Sequence, residues 1–525
     1  MDPWIFFVVL TAIYGVLLFF DRFFKSCMHY PYEAFLTNTG LTVGILHLKW
    51  HTTAFNRWVL RLGNNSGSCC RQIINKSFTI GVLVALSLVP VGVILLFITI
   101  FGSSSPQQTE VSNFAATTSA AGGATSNVVK SQNINVEILL PGVNLPLDEI
   151  GYYVATLLIS TVIHELGHAL AAVMEDIPVT GFGFHLYFCL PVAYTEISTD
   201  HLNALKWLKK LRILCAGIWH NFVFAGICYL LLSTMGFMAA PLYTLNKNVI
   251  VTQVTAQSPL RAKSDRGLVE GNVITHINDC PVYNEDTWYN CLVNSLHFPG
   301  FCVSSDFIRL NDESIEISHH SSDGTLQCCG NNAKLCCFEY IDDLNNDAPV
   351  EIPQHVCLDV RRTMEDSYGY CTGTGMCERG FCLRPLLKNT TTIMVFKRQS
   401  LKAQEIPLKN VIYMGHPLDV TRSIRISQFV PKHEYISPKW CDNGILFLKY
   451  NIVFSLGLAL INAIPCFGFD GNAIVNTIVN SFLVNRITEK AKRDVISLIA
   501  TGIGSLLFLL AVTKVLWISL IKYLF

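Results

Sequence analysis

The sequence predicts a polytopic α-helical membrane protein of about six transmembrane segments, with a hydrophilic, cysteine-rich block between the fourth and the fifth. Three observations carry that expectation. Hydrophobic residues make up 51% of the 525 and charged residues only 14%, the balance of a chain that uses lipid as part of its solvent. Apolar runs recur that are long enough to cross a bilayer. Twelve of the 19 cysteines crowd into one polar stretch, eleven from Cys280 to Cys382 and the twelfth at Cys441. The lipid bilayer is therefore the first partner. Basic and acidic residues both number 38, and no local basic stripe stands out, which argues against nucleic acid as a direct partner.

Residues 4–20 form the first apolar run, closed by Asp21, Arg22 and Lys25. It lacks a preceding basic stretch and a small-residue cleavage site, so it reads as an anchor and not as a removed signal peptide. A mixed amphipathic region reaches residue 77, and 78–101 is the second run. These two either span or dip in and return, which leaves the side of each terminus open. Residues 102–135, rich in Ser, Thr, Ala and Gly, bury too little surface to offset their ordering entropy and read as a disordered linker.

The third run, 149–174, carries His164-Glu165-Leu166-Gly167-His168 near its end. The fourth, about 211–240, follows Lys206, Lys209, Lys210 and Arg212. The fifth, 444–468, leads into Phe469-Asp470-Gly471, and the sixth, about 494–521, follows Arg486, Lys490, Lys492 and Arg493. The chain thus divides into N-terminal membrane segments (1–101), the linker, one half of a catalytic membrane core (136–240), a soluble block (241–440, its cysteine-rich part at about 280–385), and the other half of the core (441–525).

Excess lysine and arginine place the 175–210 and 483–493 loops in the cytosol, which leaves the 241–440 block in the lumen. Its cysteines agree, since a crowded, even set beside membrane spans reads as disulfides in an oxidising compartment. A structural zinc cluster is the alternative, with Cys328-Cys329 and Cys336-Cys337 as thiolate pairs, but CxxC spacing is absent. Asn389-Thr390-Thr391 is a glycosylation acceptor in the same block.

The HExxH spacing puts His164 and His168 one above the other on a helix face, where both imidazoles reach a single zinc ion. Glu165 is then placed to take a proton from metal-bound water, whose pKa zinc brings to about 7. Two histidines and a glutamate near the end of an apolar helix are costly in lipid, so they mark a functional site. A third ligand is required. Glu175, Asp176, His185 and Glu196 are nearby in sequence. Asp470 is the better candidate, because it lies at the cytosolic end of its run as the histidines do of theirs. Its bland alternative is an interfacial carboxylate or helix cap.

With HELGH on an apolar helix, Asn462-Ala463-Ile464-Pro465 ahead of Phe469-Asp470-Gly471, and a PDZ-like block between, the chain resembles the site-2 protease family of intramembrane metalloproteases. Ala216-Gly217-Ile218-Trp219-His220-Asn221, the 141–146 segment PGVNLP and Gly415-His416-Pro417-Leu418 resemble its animal members. One departure is Phe469, where the family carries leucine. The resemblance implies one catalytic zinc on His164, His168 and Asp470, with Glu165 as general base. Asn462 and Asn221 match polar positions of the family's core helices and are candidate catalytic residues: they can donate hydrogen bonds to substrate or oxyanion or serve only as glue between helices. The implied substrates are membrane-anchored transcription factors, such as the sterol regulatory element-binding proteins, after a first lumenal cut. The implied location is the Golgi membrane, with the endoplasmic reticulum as the alternative, and the implied settings are sterol metabolism and the unfolded-protein response.

The 267–278 segment resembles a PDZ carboxylate-loop and strand pattern, able to receive an extended chain; placed in the lumen, such a block would filter out uncut substrates. Residues 181–196, Gly-bounded and rich in strand formers, read as a membrane-associated hairpin that docks unwound substrate, or as a short extra helix. Rival functions are a CaaX-type membrane protease with a downstream glutamate ligand, a silent zinc scaffold, and a metal transporter.

Overall fold

The computed structural model describes residues 3–64, 68–102, 149–187, 190–261, 266–297, 300–320, 326–330, 334–341, 355–373, 375–387, 391–401, 408–433 and 435–524. The bulk of the proposed linker, the 141–146 motif and Asn389 lie outside them. The chain divides into two compact units, Met1–Leu232 with Phe447–Phe525, and Ser233–Leu446.

Among the described residues, five helices are long and apolar enough to cross a membrane: Arg71–Phe101, Ile150–Met174, Ala216–Ala239, Lys439–Ala463 and Lys490–Ile518. Six spans were expected. The first apolar run is also helical, Pro3–Cys27, but is not one of the five; Asp21 is buried there, paired with Lys25 at 2.8 Å.

In the first unit the Ile150–Met174 helix is the most enclosed of the five. The reason is local: Ala169, Ala171 and Ala172 are fully buried, and side chains this small let neighbours approach closely. Val59, Phe78, Ile213 and Ala216 close over them. The fourth run is broken, Trp207–Leu214 ending at Cys215 before Ala216–Ala239 begins. The fifth run ends as a helix at Ala463, two residues before Pro465, as the steric conflict ahead of a proline requires. The chain resumes as Asp470–Phe482. Phe469, the departure from the family pattern, stacks edge-on against Phe508 at 5.3 Å. Lys514 donates to the carbonyls of Thr99, Ile100 and Gly102, so a cation satisfies the open C-terminal end of another helix.

The 181–196 segment is a hairpin, and it belongs to a larger sheet. Leu41–Gly44, His47–Thr52, Val179–Tyr187 and Leu190–Ile197 lie antiparallel in that order. The first two strands fall in the region read from sequence only as mixed and amphipathic. Their turn is Ile45-Leu46, with Leu46 at φ 53°, and carries none of the Asn-Gly or Asp-Gly chemistry that announces a hairpin.

The second unit holds two main sheets. In one, Val411–Gly415, Thr392–Ser400, Asn272–Ile277, Val249–Val254 and Ile424–Ser427 follow in that order, with Cys280–Pro281 beside Asn272–Ile277. The Glu285–Asn294 helix, started by an Asn284–Thr287 capping box, packs Trp288 and Leu292 among Ile274, Met394 and Phe396. The other sheet, built within the cysteine-rich stretch, orders His355–Asp359, Leu335–Tyr340, Gly380–Pro385, Gly300–Ser304 and Gly369–Cys371.

Ten of the twelve clustered cysteines pair, as Cys280–Cys291, Cys302–Cys377, Cys328–Cys337, Cys329–Cys357 and Cys371–Cys382. Cys336 and Cys441 are free and buried, which corrects the expectation of a fully paired set. Strand alternation explains Cys336: it shares the apolar face of Phe338, while Cys337 turns to the face where Cys328 and Cys357 lie. Alkylation of the denatured, unreduced protein is therefore expected to label Cys336 and Cys441 of the twelve, with the other ten reacting only after reduction. Peptide mapping that found Cys302 or Cys377 labelled without reductant would contradict this pairing.

Candidate metal centre

HELGH lies in the last three turns of the Ile150–Met174 helix, and the i, i+4 spacing brings the two imidazoles together, Nε2 to Nε2, at 3.2 Å. Asp470 is the first residue of the Asp470–Phe482 helix, where the N-terminal end of the dipole favours a negative charge. Its Oδ2 lies 3.0 Å from His164 Nε2 and 3.1 Å from His168 Nε2. Gly471 makes that placement possible, because a Cβ there would collide with the Ile464 carbonyl.

Burial alone would raise the Asp470 carboxyl, but the adjacent His168 and His164 imidazoles hold it well below the ordinary carboxylate range. The cluster thus favours the carboxylate form of Asp470. That is the state a metal ligand must have.

The donor set fits zinc. Ligands at about 2.0–2.2 Å around a tetrahedral ion are spaced ~3.3–3.5 Å apart, a few tenths of an ångström wider than the spacing here. His168 Nδ1 is 2.8 Å from the carbonyl oxygen of Ile213; donating its proton there leaves the Nε2 lone pair turned inward, the orientation seen in metal-ligating histidines. Space is kept by Gly217. A Cβ on it would stand 2.5 Å from His168 Nε2 and 2.6 Å from His164 Nε2.

The other sequence candidates for third ligand are engaged elsewhere. Glu175 is buried between Lys209 and Arg212, at 2.8 and 3.0 Å. Asp176 pairs with Arg71 at 2.8 Å. His185 lies 3.3 Å from His47, and Glu196 3.9 Å from His51. Among the described residues the group that joins the histidines is Asp470 and not a downstream glutamate, which favours it over the CaaX-type alternative.

Of the remaining predicted site residues, Asn221 is fully buried with Nδ2 at 3.3 Å from His164 Nδ1. Asn462 is not joined to the cluster; it donates to the Leu458 carbonyl of its own helix at 3.1 Å. The Glu165 backbone carbonyl accepts from the Thr195 hydroxyl at 3.0 Å, tying the HELGH helix to the Leu190–Ile197 strand. Gly217 and Thr195 were missed as site residues. A GxxxN spacing on the Ala216–Ala239 helix was visible in the sequence, but nothing local shows that its glycine meets both histidines.

A model of peptidase family M50 matches residues 152–509. A membrane-bound transcription factor site-2 protease homolog of Arabidopsis thaliana is 24% identical over 433 residues, covering 72% of this chain and 79% of that protein. The matched span holds His164, His168 and Asp470.

Because a Cβ at Gly217 intrudes on both nitrogens, Gly217→Ala should lower zinc content of the purified protein by at least about tenfold. Gly226→Ala, on the same helix with nothing within 4 Å of its added Cβ, should leave zinc unchanged. Equal zinc in the two variants would show that Gly217 does not border the ion.

Proposed function

The chain belongs to peptidase family M50, and we propose that it is a zinc endopeptidase cutting peptide bonds within or at the edge of the bilayer. Family membership makes it a membrane metalloprotease. The observation that supports zinc and the roles below is the meeting of His164, His168 and Asp470 through three atoms 3.0–3.2 Å apart.

Zinc held there would act as a Lewis acid on the scissile carbonyl and make hydroxide available near neutral pH. Glu165, one residue along the same helix, takes the proton of the attacking water and returns it to the leaving amine. Asn462 spends one amide hydrogen on Leu458; its second is free by count to hold the scissile carbonyl. A peptide bond in an intact helix is already hydrogen-bonded and screened by side chains, so substrate must unwind before attack. The Leu190–Ile197 strand offers the unwound chain a template. It pairs with Val179–Tyr187 on one edge and, among the described pairings, leaves its other edge open, while Thr195 anchors it beside Glu165. An extended segment adding to that edge gains main-chain hydrogen bonds.

The Ser233–Leu446 unit is read as PDZ-like and lumenal, supported by its capped helix, its sheet order and the five disulfides, which persist in oxidising compartments. Lysine and arginine placement supports a metal centre toward the cytosol. The family resemblance, and the name of the Arabidopsis relative, support membrane-anchored transcription factors as substrates, sterol regulatory element-binding proteins among them, after a first lumenal cut. The family resemblance supports a Golgi location, the first apolar run supports a sixth span at Pro3–Cys27, and the Asn389-Thr390-Thr391 triplet supports glycosylation at Asn389.

Cleavage of a membrane-anchored reporter tests this directly. Glu165→Gln should cut released fragment by at least ~100-fold at unchanged zinc content, and prolines at alternate positions of Leu190–Ile197 should lower cleavage with zinc retained. An undiminished yield from Glu165→Gln would leave a zinc-binding scaffold as the better description; undiminished cleavage by the proline variants would end the strand-docking idea.

A further inference from the structure

The carboxamide of Asn221 holds one arrangement that conflicts with the centre it abuts. Its Nδ2 faces His164 Nδ1 at 3.3 Å, while its Oδ1 is buried without a hydrogen-bond partner. An N–H donated to Nδ1 requires the proton of His164 to sit on Nε2. That is the nitrogen aimed at Asp470 and His168, and a protonated nitrogen cannot ligate an ion. The remedy is a half-turn of the amide about its Cβ–Cγ bond, which exchanges oxygen and nitrogen at almost no steric cost. Oδ1 then accepts the Nδ1–H of His164, and the Nε2 lone pair is released inward.

We propose that Asn221 is the positioning residue of His164: its side-chain oxygen accepts the Nδ1 proton and thereby fixes the ligating tautomer. The inference rests on the zinc reading above and deepens it. It gives His164 the counterpart of what the Ile213 carbonyl does for His168 at 2.8 Å, so each ligating imidazole has an acceptor behind it. It also separates Asn221 from the donor role that, beside helix–helix packing, was open to it from the sequence. A donor to substrate must point its N–H₂ at the reacting carbonyl, whereas here the side chain is fully buried behind a ligand. The Ala216–Ala239 helix therefore serves the centre twice, Gly217 giving it room and Asn221, one turn on, setting a tautomer.

The two roles call for opposite chemistry, acceptor against donor, and aspartate tells them apart because it is nearly the shape of asparagine but only accepts. The test is the zinc dissociation constant of the full-length, detergent-solubilised protein, measured by chelator competition for wild type, Asn221→Asp, Asn221→Leu and Asn221→Ser, with the ligand-field spectrum of the cobalt-substituted form and reporter cleavage read in parallel. Asn221→Leu and Asn221→Ser should bind zinc about 10–100-fold more weakly and shift the cobalt spectrum. Asn221→Asp should restore wild-type affinity, spectrum and cleavage. If either loss variant fails to accumulate, the other decides with Asn221→Asp. Wild-type zinc affinity in all variants, with cleavage lost in Asn221→Asp, would overturn the proposal in favour of the donor role. Weakened binding in Asn221→Asp equal to that in Asn221→Leu would overturn it in favour of packing. A wild-type protein that binds no zinc would instead defeat the zinc reading itself, and this inference with it.

Discussion

Three polar atoms from residues 164, 168 and 470 lie 3.0–3.2 Å from one another in a largely buried setting, and the first unit is organised around that juxtaposition. Imidazole and carboxylate groups are expensive to bury unless each is satisfied. The surrounding chain meets the cost piece by piece. Ile213 and Asn221 stand behind the histidines. Pro465 ends one helix so that another can begin with Asp470, and Gly471 lets that second helix close on the Ile464 carbonyl. Glu175, just beyond the HELGH helix, is buried and clamped by Lys209 and Arg212.

What could be read from the sequence followed how local each signal is. HExxH is a helix-periodicity statement, so His164, Glu165 and His168 announce themselves within five residues. Asp470 is 302 residues from His168, yet topology put it at the same depth because both lie at matching ends of apolar runs. The 181–196 hairpin was legible from its glycines and strand formers. The two strands that extend it were not, since their tight turn at Ile45-Leu46 has no turn-forming residue. The roles of Gly217 and Asn221 depend on which face of the Ala216–Ala239 helix meets the histidines, which no local pattern specifies. Disulfide partners were equally hidden: alternation excludes Cys336 from pairing only once the strand containing it and its apolar face are known.

The second unit answers a different physical problem. It carries its own apolar clusters, around Trp288 and Phe396 and around Phe338 and Leu358. Four of its five disulfides involve strands of the cysteine-rich sheet, one spanning 75 residues of chain, a loop length at which closure entropy is worth about 4 kcal/mol in the chain-entropy model. Such a block is held by covalent and hydrophobic means. The candidate metal centre, by contrast, is held by complementary polar groups, so under the zinc reading the two units should differ in what destabilises them: reductant for one, chelator for the other.

Zinc-edge X-ray absorption on the purified wild-type protein and on Asp470→Ala addresses the centre most directly. The expected wild-type spectrum has two imidazoles and oxygen donors at about 2.0–2.2 Å with no sulfur, and the alanine variant should lose an oxygen donor and most of its zinc. Full zinc occupancy and an unchanged spectrum in Asp470→Ala would contradict a His164–His168–Asp470 site.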